Sequence, residues 1–111
     1  MAKVHVIASF AAREGRESQL RGLLHGMLTP TRAESGCESY ELYESDSSGR
    51  FYLNETWESQ AALDRHMATP HFERLKKTCG ELVREPFEVN LVKGILPPRR
   101  GSMISWAPPG G

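Results

Sequence analysis

The stretch FYLNETWESQAALDRHMATPHF, residues 51–72, decides the fold. Its first half alternates. Phe51, Leu53, Glu55 and Trp57 share one face of an extended segment, and Tyr52, Asn54, Thr56 and Glu58 share the other. Its second half changes period. Ala62, Leu63, His66 and Met67 recur at helical spacing behind Ser59, a suitable N-cap. Thr69-Pro70 restarts the helix, with Thr69 as cap and Pro70 in the first turn. A strand thus runs into a helix, and their apolar faces meet across a turn. Glu55 is the anomaly, because a carboxylate between Leu53 and Trp57 must be paired, protonated or near water.

Upstream, Cys37 to Glu44 forms another strand, and DSSG (Asp46 to Gly49) is a turn joining it to Phe51, so the two strands make a hairpin. Near the start, Val4, Val6, Ala8 and Phe10 alternate with His5, Ile7 and Ser9. Ile7 on the second side indicates that both faces are at least partly covered. Gly15 breaks that pattern. Leu20, Leu23, Leu24, Met27 and Leu28 then predict one amphipathic helix from about Arg16 to Glu34, kinked at Pro30 and ended by Ser35-Gly36. Downstream, Phe72, Leu75, Cys79, Leu82 and Val83 form the stripe of the last helix. Pro86 stops it, and Phe87, Val89, Leu91 and Ile95 belong to a final strand.

The order is β-α-β-β-α-β, the split or ferredoxin-like α+β arrangement, with one antiparallel four-stranded sheet and the helices on one face. The other face carries residues too apolar for open water, so a two-fold homodimer pairing sheet on sheet is expected. The folded domain is expected over residues 1–96. A Pro/Gly-rich tail follows over 97–111, in which Met103, Ile104 and Trp106 could anchor to the body or to a partner.

A chain of 111 residues supports one core. Fourteen basic residues balance fourteen acidic ones, so no net field favours nucleic acid or an acidic membrane. The basic pair Arg99-Arg100 lacks the aromatic interleaving of a single-strand binder. VHVIASFAA is too short to span a bilayer and lacks the charged flank of a targeting segment, which points to the cytoplasm. There Cys37 and Cys79 stay reduced, and neither a disulfide nor a structural metal is expected.

TPTRAESGCESYELYES (Thr29 to Ser45), FYLNETWESQAALDRHMATPHF and EPFEVNLVKGI (Glu85 to Ile95) together resemble the antibiotic biosynthesis monooxygenase domain, in its small quinol monooxygenase-like form. The resemblance covers about Lys3 to Leu96 and implies a dimeric α+β barrel. It also implies oxygenation of a small quinol or polyphenol by O2 without metal, haem or flavin. His66 would then be the base, since imidazole titrates near neutrality, and Glu55 would orient it or raise its basicity. Trp57, Leu53, Tyr40 and Phe72 would line the substrate pocket. Two departures narrow the activity. The strand face that carries an asparagine in antibiotic-tailoring members carries Leu53 and Glu55 here. Lys76-Lys77 stand where haem-degrading members place a ligand histidine, leaving His71 as the nearby substitute.

Bland readings stand beside these. His66 could simply pack near Ala62 and Leu63, and Glu55 could pair with His66, Arg65 or a basic residue of the first helix. Cation formation at His71 is disfavoured by the dipole of its helix, so His71 is expected to face solvent or brace a loop. Two other functions use the same pocket: an isomerase or proton-transfer enzyme on a small oxygenated metabolite, and a non-catalytic dimeric binding module.

Overall fold

A computed structural model describes residues 2–46 and 49–95. The expected tail, with Met103, Ile104 and Trp106, lies outside them, as do Ser47 and Ser48 of the hairpin turn. The strands are β1 (Val4–Ala11), β2 (Cys37–Glu44), β3 (Arg50–Trp57) and β4 (Glu88–Val92). The helices are α1 (Glu17–His25), α2 (Leu28–Arg32), α3 (Gln60–Met67) and α4 (Pro70–Cys79). The sheet order β2-β3-β1-β4 and its antiparallel pairings are those of the ferredoxin-like α+β fold.

Register places the site. Val6 faces Glu55 and Ala8 faces Leu53 across β1 and β3, and Tyr40 faces Glu55 across β2 and β3. These residues therefore lie on the inner face, beneath the helices. Phe10, Phe51 and Trp57 join them there, with Leu20 and Leu24 of α1, Leu63 of α3, and Leu75 and Cys79 of α4. Burying aromatic and aliphatic side chains of this size stabilises the fold by about 1.5–3 kcal/mol each. The expected caps form: Ser59 Oγ accepts from the Ala62 N–H, and Thr69 Oγ1 accepts from the Phe72 N–H, each at 3.2 Å.

Three elements differ from the sequence expectation. The single helix over residues 16–34 is two, broken at Gly26-Met27. In a continuous helix the ring of Pro30 would meet the Gly26 carbonyl and leave it without a donor. The break instead puts Pro30 in the first turn of α2, where no backbone donor is needed. The last helix ends at Cys79. Leu82, in a turn, and Val83, in an isolated bridge to Ala12, continue its apolar stripe, and there Arg13 N–H donates to the Leu82 carbonyl and Arg84 N–H to that of Ala11. The final strand is shorter than expected. Phe87 precedes it and stacks on Phe10 at 4.9 Å, whereas Ile95 is almost wholly exposed.

The outer sheet face is apolar in part, with Ile7, Tyr43, Tyr52 and Val92 all exposed. The inner face is not fully roofed. Val89 and Leu91, opposite Ala8 and Val6, remain exposed because no helix covers β4.

Candidate active site

Gly36 sets the position of the first functional side chain. It adopts φ +89°, and a Cβ there would lie 2.6 Å from the Ala62 Cβ and 2.9 Å from Glu58 Oε1. Only glycine allows this turn to approach α3 so closely. Two residues earlier, Glu34 is thereby brought against the α3–α4 junction, where it meets two histidines. His66 Nδ1 donates to Glu34 Oε2 at 2.7 Å, and His71 Nε2 donates to the same oxygen at 2.6 Å. The junction itself is tight. Thr69 Oγ1 donates to the His66 carbonyl at 2.7 Å, so the two histidines leave their helices in fixed directions.

His66 is the centre of the group. Its side chain is 2% exposed and its ring packs against Trp57 at 4.6 Å, Phe72 at 5.2 Å and Tyr40 at 5.8 Å. Burial pushes its pKa down, the Glu34 carboxylate opposes that, and His71 adds to the lowering. The imidazole is therefore neutral at neutral pH. With the proton on Nδ1 donated to Glu34, the lone pair resides on Nε2.

The expected pairing of Glu55 with His66 is corrected. Glu55 Oε1 accepts from Trp57 Nε1 at 2.9 Å, two residues along the same strand face, and the carboxylate partner of His66 is Glu34. The reason is distribution along the sheet: β3 places Glu55 and Trp57 side by side, while the α2–β2 turn delivers Glu34 to the outer end of the ring. Burial raises Glu55 to about 7. The Trp57 hydrogen bond opposes this shift and the negative charge of Glu34 reinforces it. Tyr40 is raised well above the ordinary phenol range, first by burial and then by Glu55, so its hydroxyl stays protonated.

A cleft between sheet and helices is lined by Tyr40, Leu53, Glu55, His66, Phe72 and Met67, among others. Four of the expected pocket and catalytic residues on the sheet and α3 thus meet there with Phe72. Trp57 is not on its wall. It stands behind His66, fully buried. The free space is about 10 Å³, room for about one water, so an aromatic ring enters only when the half-buried Met67, Phe72 or Phe87 moves aside.

His71 takes the second of its two expected roles: it braces the turn after α2 by sharing the Glu34 carboxylate. Glu34 itself carried no sequence signal as a site residue. It sits in the turn after α2, and its partners lie 32 and 37 residues downstream. The nitrogen and oxygen donors of Glu34, His66 and His71 lie within 4.8 Å of one another.

Comparison with known proteins places this geometry in context. The sequence profile described as antibiotic biosynthesis monooxygenase matches residues 3–78. The "Putative monooxygenase Rv0793" of Mycobacterium tuberculosis is 46% identical over 89 residues, covering 80% of this chain and 88% of that protein. The solved structure of Rv0793 superposes with a TM-score of 0.80 over 85% of this chain and 96% of that chain. PA3566 of Pseudomonas aeruginosa, 29% identical, also reaches 0.80, over 86% of this chain and 97% of its own.

Proposed function

Since the chain belongs to the antibiotic biosynthesis monooxygenase family, we propose that it oxygenates a small quinol or polyphenol with O2 and no bound cofactor. The observation that carries this is the orientation of His66. Its Nδ1 proton is committed to Glu34 at 2.7 Å, so the basic Nε2 belongs to a ring on the wall of an apolar cleft. Such a carboxylate–imidazole pair suits removal of a phenolic proton, and aromatic neighbours suit a flat substrate.

The phenolate formed is electron-rich enough to pass one electron to O2. Recombination of the radical pair at a ring carbon bearing hydrogen gives a hydroperoxide, and loss of water leaves a quinone carbonyl. Both oxygens of O2 are then accounted for, one in product and one in water. The peroxide needs a proton as its O–O bond breaks. Glu55, at about 7 and beside His66 on the cleft wall, is suited to give it. Trp57 holds Glu55 in place. The phenolic proton taken by His66 forms the hydroperoxide, and the neutral imidazole then takes the ring hydrogen as water leaves and returns it to Glu55, while the apolar lining excludes bulk water.

We further propose that the working unit is a cytoplasmic homodimer in which the exposed faces around Ile7, Tyr52 and Val92 pack together. No helix among the described residues is long and apolar enough to cross a membrane. The experiment is oxygen uptake with a panel of hydroquinones and naphthalenediols, repeated without air. Uptake with quinone formation in air alone supports the reading. Turnover that proceeds equally without air would instead identify a proton-transfer enzyme, and a retained ligand with no turnover in either condition a binding module.

A further inference from the structure

We propose that Glu34, His66 and His71 form a binding site for one divalent transition-metal ion of the Zn2+ type. Two imidazoles and one carboxylate are the donor set that borderline cations prefer, with a position left open for water or another ligand. The three donors come from three segments: the turn after α2, the end of α3 and the start of α4. Both histidines already aim a ring nitrogen at one carboxylate oxygen, at 2.7 and 2.6 Å.

An ion bonded at about 2.1 Å would hold its donors about 3.0–3.4 Å apart. Each nitrogen–oxygen gap therefore has to open by about 0.3–0.8 Å, and the two histidine nitrogens, which lie within 4.8 Å of each other, have to reach the same range. The long Glu34 side chain, in a turn, can supply that movement. Thr69 caps α4 and holds the His66 carbonyl, so both histidines project from one short junction. The side chains of His66, His71 and Glu34 are 2%, 16% and 13% exposed, so an ion bound there is largely shielded from competing water. Charge also fits. The cation with one carboxylate leaves a single positive charge, and Glu55 is near enough for its charge to interact with that of Glu34.

The site shares Glu34 and His66 with the cofactor-free oxygenation proposed above, but it uses the Nδ1 edge of the His66 ring where base catalysis uses Nε2. Metal on Nδ1 expels the proton that Glu34 now accepts and leaves Nε2 as an N–H donor. A metal-bound His66 cannot be a base, so occupancy and base catalysis exclude each other. The expectation of no structural metal rested on cysteine spacing, and this histidine–carboxylate set lies outside that pattern.

The test uses the full chain stripped with a chelator and titrated with Zn2+ against a chromophoric indicator, and with Co2+ by visible absorption. One ion per chain is expected. Glu34→Gln and His71→Ala should each weaken binding by at least about tenfold, and His25→Ala, at an exposed position, should leave it unchanged. If the variants fold poorly, imidazole 15N spectra of the wild-type chain answer the same question. Zn2+ should shift His66 Nδ1 and His71 Nε2 and spare His5 and His25. Binding unaffected by both substitutions, or those two nitrogens unmoved at saturating Zn2+, would overturn the site.

Discussion

Glu55 gives the sharpest consequence at the scale of single residues. Its carboxyl is raised to about 7 from an ordinary 4.5, burial being the main cause. The folded state then holds a proton that the unfolded chain releases between those values. Stability contributed by the neutral carboxyl is fully present below about pH 4.5 and is lost as pH rises through about 7, on the order of 3 kcal/mol in all. Glu55→Gln keeps an oxygen for the Trp57 N–H and cannot titrate. Urea unfolding of the two proteins at pH 5 and pH 8 should show the wild type losing about 1–3 kcal/mol relative to Glu55→Gln. Parallel pH dependence would place Glu55 in water. A second consequence joins the two readings of His66: micromolar Zn2+ should inhibit turnover, and a chelator should restore it. Zn2+ bound at Glu34 with turnover unchanged would remove His66 as the base.

Glu55, His66, Tyr40 and Leu53 were legible in the sequence because each lies on an apolar face, where its direction follows from a period. Glu34 was not. Nothing in ESGC marks a residue that meets histidines more than thirty positions away, and a polar helix end ordinarily faces solvent. For His71 a loop-bracing role was legible, but its partner in the loop was not, for the same reason.

Among elements, the α2–β2 turn matters most. Gly36 holds φ +89° against Ala62, so Gly36→Ala combines left-handed strain of about 1–2 kcal/mol with a steric clash. A loss of about 2 kcal/mol or more is expected in thermal or chemical unfolding. Because the same turn carries Glu34, activity should fall even below the melting transition. A variant as stable as wild type would show that α3 can yield.

The hairpin and the short helices were readable from alternation and caps. The break at Gly26-Met27 was not, because Leu20, Leu24 and Met27 keep one apolar stripe through it and both halves bury the same side. Periodicity reports the buried face; it does not report where the backbone turns. The early end of α4 has the same cause, with Leu82 and Val83 buried beyond it in a turn and a bridge to Ala12.

The whole molecule leaves Ile7, Tyr52 and Val92 exposed on the outer sheet face, and Val89 and Leu91 exposed on β4. Apolar groups at such density are uncommon on a surface that stays free. In light scattering at micromolar concentration the chain should have twice its mass of 12.4 kDa. Ile7→Glu together with Tyr52→Glu should shift it to the monomer. A compact wild-type monomer would refute the sheet-to-sheet dimer.

The central claim is that His66, held by Glu34, removes the substrate proton. Its most direct measurement is the oxygen-uptake rate of His66→Ala and Glu34→Gln against wild type, on the quinol turned over fastest, with folding checked by circular dichroism. His66→Ala should lose about 10²–10⁴-fold in kcat, with Glu34→Gln intermediate. A folded His66→Ala protein with wild-type kcat would contradict the claim.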